Sequence, residues 1–131
     1  MDRTSARVAA MKLLYEWEMG GGGGDDTLAL MDIEPGENET EYMHALVAGV
    51  KAASSRLDQA ISGHLTGWKL DRLRRVDLTI LRLAAYEMLE DGLSAAVAIN
   101  EAIEMARTFS TPEAGGFING VLGALAREYK L

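Results

Sequence analysis

The 131-residue chain contains no cysteine. Disulfides, thiol catalysis and cysteine-ligated zinc or iron–sulfur centres are therefore excluded. Histidine is scarce as well. His44 and His64 have no histidine or cysteine at ligand spacing, so both are expected at the surface, with no metal or other cofactor. No apolar run approaches the length of a membrane span, and the N-terminus lacks a signal-peptide core. A soluble cytoplasmic protein with no membrane partner is expected. Positive charge is also in short supply: 13 Lys and Arg stand against 20 Asp and Glu, a net charge of −7. Phosphate neutralisation needs clustered cations, so this balance argues against non-specific binding to nucleic acid. A local basic patch remains compatible with it, and a net-acid surface suits a basic protein partner.

Aromatic residues make up only 6%, whereas apolar residues as a whole reach 48%. That is enough for one full core, and a composition rich in Ala, Leu, Gly and Glu favours helix packing over a sheet. One helical domain over 1–131 is expected. The first helix covers 1–19, with Thr4 or Ser5 as its cap. Its core stripe is Ala6, Ala10, Leu13, Leu14 and Trp17. Arg3, Arg7, Met11 and Tyr15 recur at four-residue steps and share an adjacent face. That edge reads in two ways. It is an ordinary solvated edge with a half-buried tyrosine, or it is a surface where arginines meet RNA phosphate and the tyrosine stacks on a base.

Gly20 to Asp26 is expected to be a flexible loop, and no Gly-Lys-Ser/Thr follows to make it a phosphate cradle. A short helix is expected over Thr27–Ile33, capped by Asp25 or Asp26 and broken by Glu34-Pro35-Gly36-Glu37. Asn38 opens the next helix, with Glu41 completing a capping box. Met43, Leu46, Val50, Ala53 and Leu57 form its stripe. Ser54-Ser55 marks a joint, followed by a short helix over Arg56–His64. Asp71 opens a long helix to Glu90 with Leu73, Val76, Ile80, Leu83, Ala84 and Met88 inward. Arg72, Arg74, Arg75 and Arg82 lie on its polar side with Asp71 and Asp77, where solvated Arg–Asp pairs are the simplest expectation. Glu87 falls at the edge of the stripe and needs a hydrogen-bond partner. Asp91-Gly92 ends the helix, and Ser94 caps the next.

The most patterned stretch is 97–125, VAINEAIEMARTFSTPEAGGFINGVLGAL. Ala96, Ile99, Ile103 and Ala106 make one helical stripe, ending near Arg107, a cation where the helix dipole favours one. Thr111 is placed to cap a second helix with Pro112 at its first position. Phe117, Ile118, Val121, Leu122 and Leu125 form its apolar face. Four glycines share this helix, although each costs about 0.5–1 kcal/mol relative to alanine. Close helix approach accounts for Gly120 and Gly123. Gly115 and Gly116 lie in the first turn, where bare backbone N–H groups are also able to meet a phosphate. The tail from Arg127 to Leu131 is expected to fray. In all, about seven helices and no strand-period segment are expected.

Ala98-Ile99-Asn100-Glu101-Ala102-Ile103-Glu104 followed by Phe117-Ile118-Asn119-Gly120-Val121-Leu122 resembles the paired signature of the NusB family of transcription antitermination factors. Ala9 to Trp17 (AAMKLLYEW) is similar to that family's first helix. Trp68 to Glu87 follows its W-x-L-x-R-L-x-x-V-D-x-x-I-L-R-x-A-x-Y-E block. Four blocks in the family's order span nearly the whole chain. The resemblance implies an all-α fold of two small helical bundles packed across each other. It implies a factor that binds boxA RNA as a heterodimer with NusE, a small-subunit ribosomal protein, and promotes read-through by RNA polymerase in ribosomal RNA operons. By position it assigns Arg3, Arg7, Tyr15, Glu113, Gly116 and Phe117 to the RNA side and Asp77 to the NusE side. Asn100 and Asn119 match motif asparagines and are expected as buried hydrogen-bonding groups.

Two departures thin the basic face: only Arg3 and Arg7 stand where the family often has three or more arginines, and Gly116 replaces a frequent Lys or Arg. The alternative is a NusB-like protein-interaction module with weak or no RNA binding. Enzyme activity is not expected, since no cysteine nucleophile is present and too few residues follow Leu125 for a catalytic domain. The free protein is expected as a monomer or homodimer.

Overall fold

A computed structural model describes residues 2–20, 38–67 and 69–131. These contain five α-helices and one 3₁₀ turn: α1 (Arg3–Glu18), α2 (Asn38–Ser62), the 3₁₀ turn (Leu70–Arg72), α3 (Arg75–Leu89), α4 (Ala95–Phe109) and α5 (Ala114–Glu128). The all-α class is as expected. The helix expected over Thr27–Ile33, the glycine loop beyond Gly20, the break at 34–37 and Trp68 lie outside the described residues, and α2 opens at Asn38 as expected. The helix count also falls because Ser54 and Ser55 do not make a joint. Serine costs a helix only a few tenths of a kcal/mol, up to about 0.5. The buried row Val50, Ala53, Leu57 and Ile61 runs straight through and outweighs it.

The chain divides into two compact units, Met1–Ala52 and Ala53–Leu131, with the dividing point inside α2. In the first unit, α1 is capped by Asp2 rather than Thr4 or Ser5: its Oδ1 accepts from the Ser5 N–H at 2.7 Å. These hydrogen bonds to Ser5 hold the Asp2 carboxyl below the usual carboxylate range. Gly20, at φ +95°, closes the other end of the helix, its N–H reaching the Trp17 carbonyl at 3.0 Å. Ala6, Ala9, Ala10, Leu13 and Leu14 are buried on α1, and Met43, Leu46, Val47 and Val50 on the first half of α2. Trp17 is only half-buried, with the Lys51 ammonium 5.6 Å from its ring centre.

In the second unit, α3 does not begin at Asp71. Leu70–Arg72 form a 3₁₀ turn, and Leu73 and Arg74 are extended before the helix starts. Arg75 makes this break stable. Its Nη2 donates to the Leu70 and Leu73 carbonyls, both at 2.8 Å, supplying donors that a continued helix would have provided. From there α3 is buried on almost every side, and its polar side chains find partners. Thr79 donates to the Arg75 carbonyl at 2.7 Å. Arg82 grips Asp58 of α2 with two bonds, Nε to Oδ1 at 2.7 Å and Nη2 to Oδ2 at 2.9 Å. Asp77 accepts from the Ser110 hydroxyl at 2.6 Å. Glu87 is fully inside, and no buried side-chain polar atom among the described residues lacks a partner. The helix ends where Gly92, at φ +71°, lets the Leu93 N–H turn back to the Glu87 carbonyl at 2.9 Å.

Helix α4 packs on α3 and α5, but of the expected stripe only Ala106 is buried. Ala96 is exposed and Ile99 and Ile103 are half-buried, while Ala98, Ala102, Met105 and Ala106 are buried. The helix carries apolar residues on several faces, so period alone could not choose among them. The tertiary contact selects the small-residue row. Asn100 and Asn119 are exposed, not buried as expected. On α5, Ile118, Val121, Leu122 and Leu125 are buried as the pattern required. The helix starts after Glu113 rather than at Pro112, because Thr111-Pro112-Glu113 forms a turn closed by Ala114 N–H to Thr111 O at 3.1 Å. The tail is not frayed. Lys130, at φ +57°, and Leu131 turn back onto the Arg127 and Ala126 carbonyls at 3.2 and 2.9 Å, a Schellman closure. His64 is half-buried against α5, its Nε2 2.7 Å from the Glu128 carboxylate, while His44 is exposed.

The glycine expectation is overturned at Gly120. A methyl there would meet nothing within 4 Å, and at Gly123 only the Arg127 guanidinium at 3.5 Å. Gly120→Ala should therefore raise stability by about 0.5–1 kcal/mol, read as a higher unfolding midpoint. Ser110→Ala strands the buried Asp77 carboxylate and should cost about 1–3 kcal/mol, measured by denaturant titration. Asp2→Ala should lower the thermal midpoint at neutral pH. Since the folded pKa is depressed, the Asp2 contribution is present above the unfolded pKa and lost as pH falls through the folded one. The two midpoints should therefore converge in acid.

Candidate nucleic-acid and partner interface

The expected RNA-side residues fall in both units. In the first, Arg3 is exposed near the start of α1, and its guanidinium carbon lies 3.9 Å from the ring centre of Tyr42 on α2. Arg7, one turn further on, corrects the expectation of an exposed arginine edge. It is only 5% exposed, and its Nη2 donates to the Tyr42 hydroxyl at 3.1 Å. Met11, next in the row, is buried too, so the row leaves solvent and returns to it only at Tyr15, which is 37% exposed. An α-helix has 3.6 residues per turn, so a row of four-residue steps drifts around the helix and crosses the core face. Arg3 and Arg7 thus converge on one aromatic ring, and Tyr15 stands apart from them along α1.

Tyr42 was not singled out by the sequence. It precedes Met43 of the α2 stripe and lies 35 positions from Arg7. No local spacing links the two, because the contact exists only once α1 and α2 pack. A guanidinium over a tyrosine ring is attracted by the ring's negative face.

In the second unit, Asp77, Glu113 and Phe117 share one groove of about 470 Å³, completed by Arg72, Leu73, Arg74, Thr111 and Ala114. Its floor is apolar, with Phe117 half-buried, and Arg72, Arg74 and Glu113 are exposed at its rim. Asp77 is 7% exposed and held by Ser110. The break before α3 places Arg72 and Arg74 here instead of on the polar side of a long helix. The groove offers an apolar seat ringed by charges of both signs, an arrangement that suits a protein side chain better than a bare phosphate. Gly116 lies outside it and opens on a neighbouring groove lined by Ile103, Arg107, Ser110, Thr111, Pro112, Gly115 and Asn119. A methyl at Gly116 would meet nothing within 4 Å, whereas at Gly115 it would touch Ile103 at 3.6 Å. Among the described residues no group of His, Asp and Glu is arranged to hold a metal, and no helix is long and apolar enough to cross a membrane.

Known proteins are similar to this chain in sequence and fold. A model of the NusB family matches residues 4–127. The transcription antitermination protein NusB of Acetivibrio thermocellus is 41% identical over 130 residues, covering 97% of this chain and 90% of that protein. The NusB of Bacillus velezensis is 42% identical over 123 residues, 93% of each. Among solved structures, T. maritima NusB is similar with a TM-score of 0.85 and 31% identity, covering 100% of this chain and 99% of that one. A chain in the crystal structure of the antitermination factors NusB and NusE in complex with dsRNA gives a TM-score of 0.87 at 26% identity, 97% of each. Matched along nearly its whole length in both sequence and fold, the chain belongs to the NusB family of transcription antitermination proteins.

Proposed function

We propose that this chain is an antitermination factor that binds boxA-type RNA as a heterodimer with NusE and promotes read-through in ribosomal RNA operons. It acts in the cytoplasm within the RNA polymerase antitermination complex, without catalysis or cofactor, and is a monomer or homodimer when free. The observation that carries the reading is the exposed Arg3 guanidinium held over the Tyr42 ring, a local cation fixed in place on an otherwise acidic protein. Further support comes from the solved neighbour that holds NusB together with NusE and dsRNA. Tyr15 remains exposed enough to stack on a base. The groove around Asp77, Glu113 and Phe117 supplies the protein-facing side, where acidic groups meet a basic ribosomal protein. On this reading Glu113 and Phe117, which lie beside Asp77, serve the partner as well as the RNA.

One observation favours the second reading, an interaction module with weak or no RNA binding. Burial of Arg7 leaves Arg3 as the one exposed cation of the pair. Titration of a labelled boxA-type RNA at two salt concentrations, with and without NusE, separates the two. The antitermination reading expects tight binding with NusE, weak binding without it, and a loss on raising salt. Capture of NusE with no RNA affinity in either state establishes the interaction module instead.

A further inference from the structure

In the second unit Arg56, Arg82 and Arg107 grip the carboxylates of Glu90, Asp58 and Glu104, and Arg75 holds the Leu70 and Leu73 carbonyls. Arg72 and Arg74 are different. Both are exposed, and among the described residues neither side chain makes a hydrogen bond or an ion pair. Both line the groove that holds Phe117. An unbroken helix would not bring them to one place, because at 3.6 residues per turn residues two apart lie about 200° apart around the axis. The extended backbone at Leu73 and Arg74, anchored by Arg75, brings both to the groove while Leu73 turns inward. We propose that Arg72 and Arg74 are RNA-binding residues of this chain: they meet phosphates of a single strand at this groove, while one base seats on Phe117.

Charge, shape and rigidity point the same way. Asp77 is 7% exposed and its Oδ1 already accepts from Ser110 at 2.6 Å. The charges a ligand meets first are therefore two guanidinium groups and the single Glu113 carboxylate, a local positive excess on a chain of net charge −7. A basic protein segment finds a counter-charge in Glu113 but only repulsion in Arg72 and Arg74, so the arginines call for an anionic ligand. A bare phosphate would leave the apolar floor and the half-buried Phe117 uncovered. A nucleotide of single-stranded RNA brings both parts, a flat base for the apolar seat and phosphate for the cations. Arginine suits the second task, because its fork of donors matches phosphate oxygens and it keeps its charge at any physiological pH. The Arg75 bonds hold the backbone at the break, so little main-chain freedom is lost on binding.

The proposal rests on the RNA-binding reading, and the experiment separates the two. The protein with saturating NusE is titrated with fluorescein-labelled single-stranded boxA RNA over a series of salt concentrations, and log affinity is plotted against log salt. Arg72→Gln and Arg74→Gln should each weaken binding and flatten the slope by about 0.7, one phosphate contact to a single strand, and the double variant by about 1.4. Phe117→Leu should weaken binding about tenfold with the slope unchanged, because stacking carries no net charge. Both arginine variants should capture NusE and unfold at the unmodified temperature, since neither side chain has a partner in the fold. The arginine pair decides the matter if Phe117→Leu does not fold. If the unmodified complex binds RNA and the double arginine variant keeps its affinity and slope, the proposal is overturned and the RNA-binding reading stands. Loss of NusE capture by the double variant assigns the arginines to a protein interface and overturns the proposal as well. If the unmodified complex binds no RNA, the RNA-binding reading falls and the proposal falls with it.

Discussion

A helix enclosed on nearly every side cannot leave its polar side chains to water, and this constraint on α3 organises the second unit. Residues 77–81, 83–85, 87 and 88 of α3 are all buried. Asp77, Thr79 and Glu87 lie among them, and Arg82 is close to them in burial. Each needs a partner, because an unpaired buried polar group costs about 1–3 kcal/mol and a charge more. Thr79 finds its partner one turn back in the Arg75 carbonyl, while Arg82 and Asp77 find theirs far away in sequence. Asp58 fixes the second half of α2 against α3, and Ser110 fixes the turn between α4 and α5. Apolar burial drives these helices together, but it is non-directional. The polar pairs select one register among the many that burial would accept.

The same requirement shapes the groove. Arg75 turns back to cap the carbonyls of the preceding 3₁₀ turn, which forces Leu73 and Arg74 into extended backbone. That break turns Arg72 and Arg74 toward Asp77, Glu113 and Phe117. Ser110, which satisfies Asp77, lies immediately before the Thr111-Pro112-Glu113 turn that sets where α5 begins. The residues that stabilise α3 and those that line the groove are thus neighbours or the same residues. A substitution at Asp77 would disturb both stability and the shape of the groove.

In the first unit electrostatics works on a smaller scale. The chain carries a net charge of −7, so no broad positive field surrounds it. What it has is a pair of arginines organised by one tyrosine. Arg7 contributes to the interior of the α1–α2 contact, and Arg3 stays at the surface. A local cation of this kind acts within about a Debye length, roughly 8–10 Å at physiological salt. It suits a short contact shared with a partner better than a long electrostatic track along RNA.

Much was legible in the sequence because it depends on local chemistry. Helical class, the buried rows of α2 and α5, the glycine stop after α3 and family membership follow from periodicity, turn residues and ordered motifs. These signals act over one or two turns of chain, where spacing determines which side chains share a face. Where the pattern was ambiguous, packing decided. α4 buries Ala98, Ala102 and Met105 instead of its isoleucines, because helix approach favours the small-residue row. Arg7 looked like a surface cation because a four-residue row drifts around a helix, and only the contact with α2 shows where it goes inside. Gly120 looked like a close-contact glycine, yet it faces open space. The candidate interface was legible in its residue types but not in its arrangement. Tyr42 meets Arg7 from 35 positions away, and Asp77 meets Ser110 from 33. No local spacing encodes such pairs. They are fixed only when the helices pack and each buried polar group takes whichever partner the packing brings within reach.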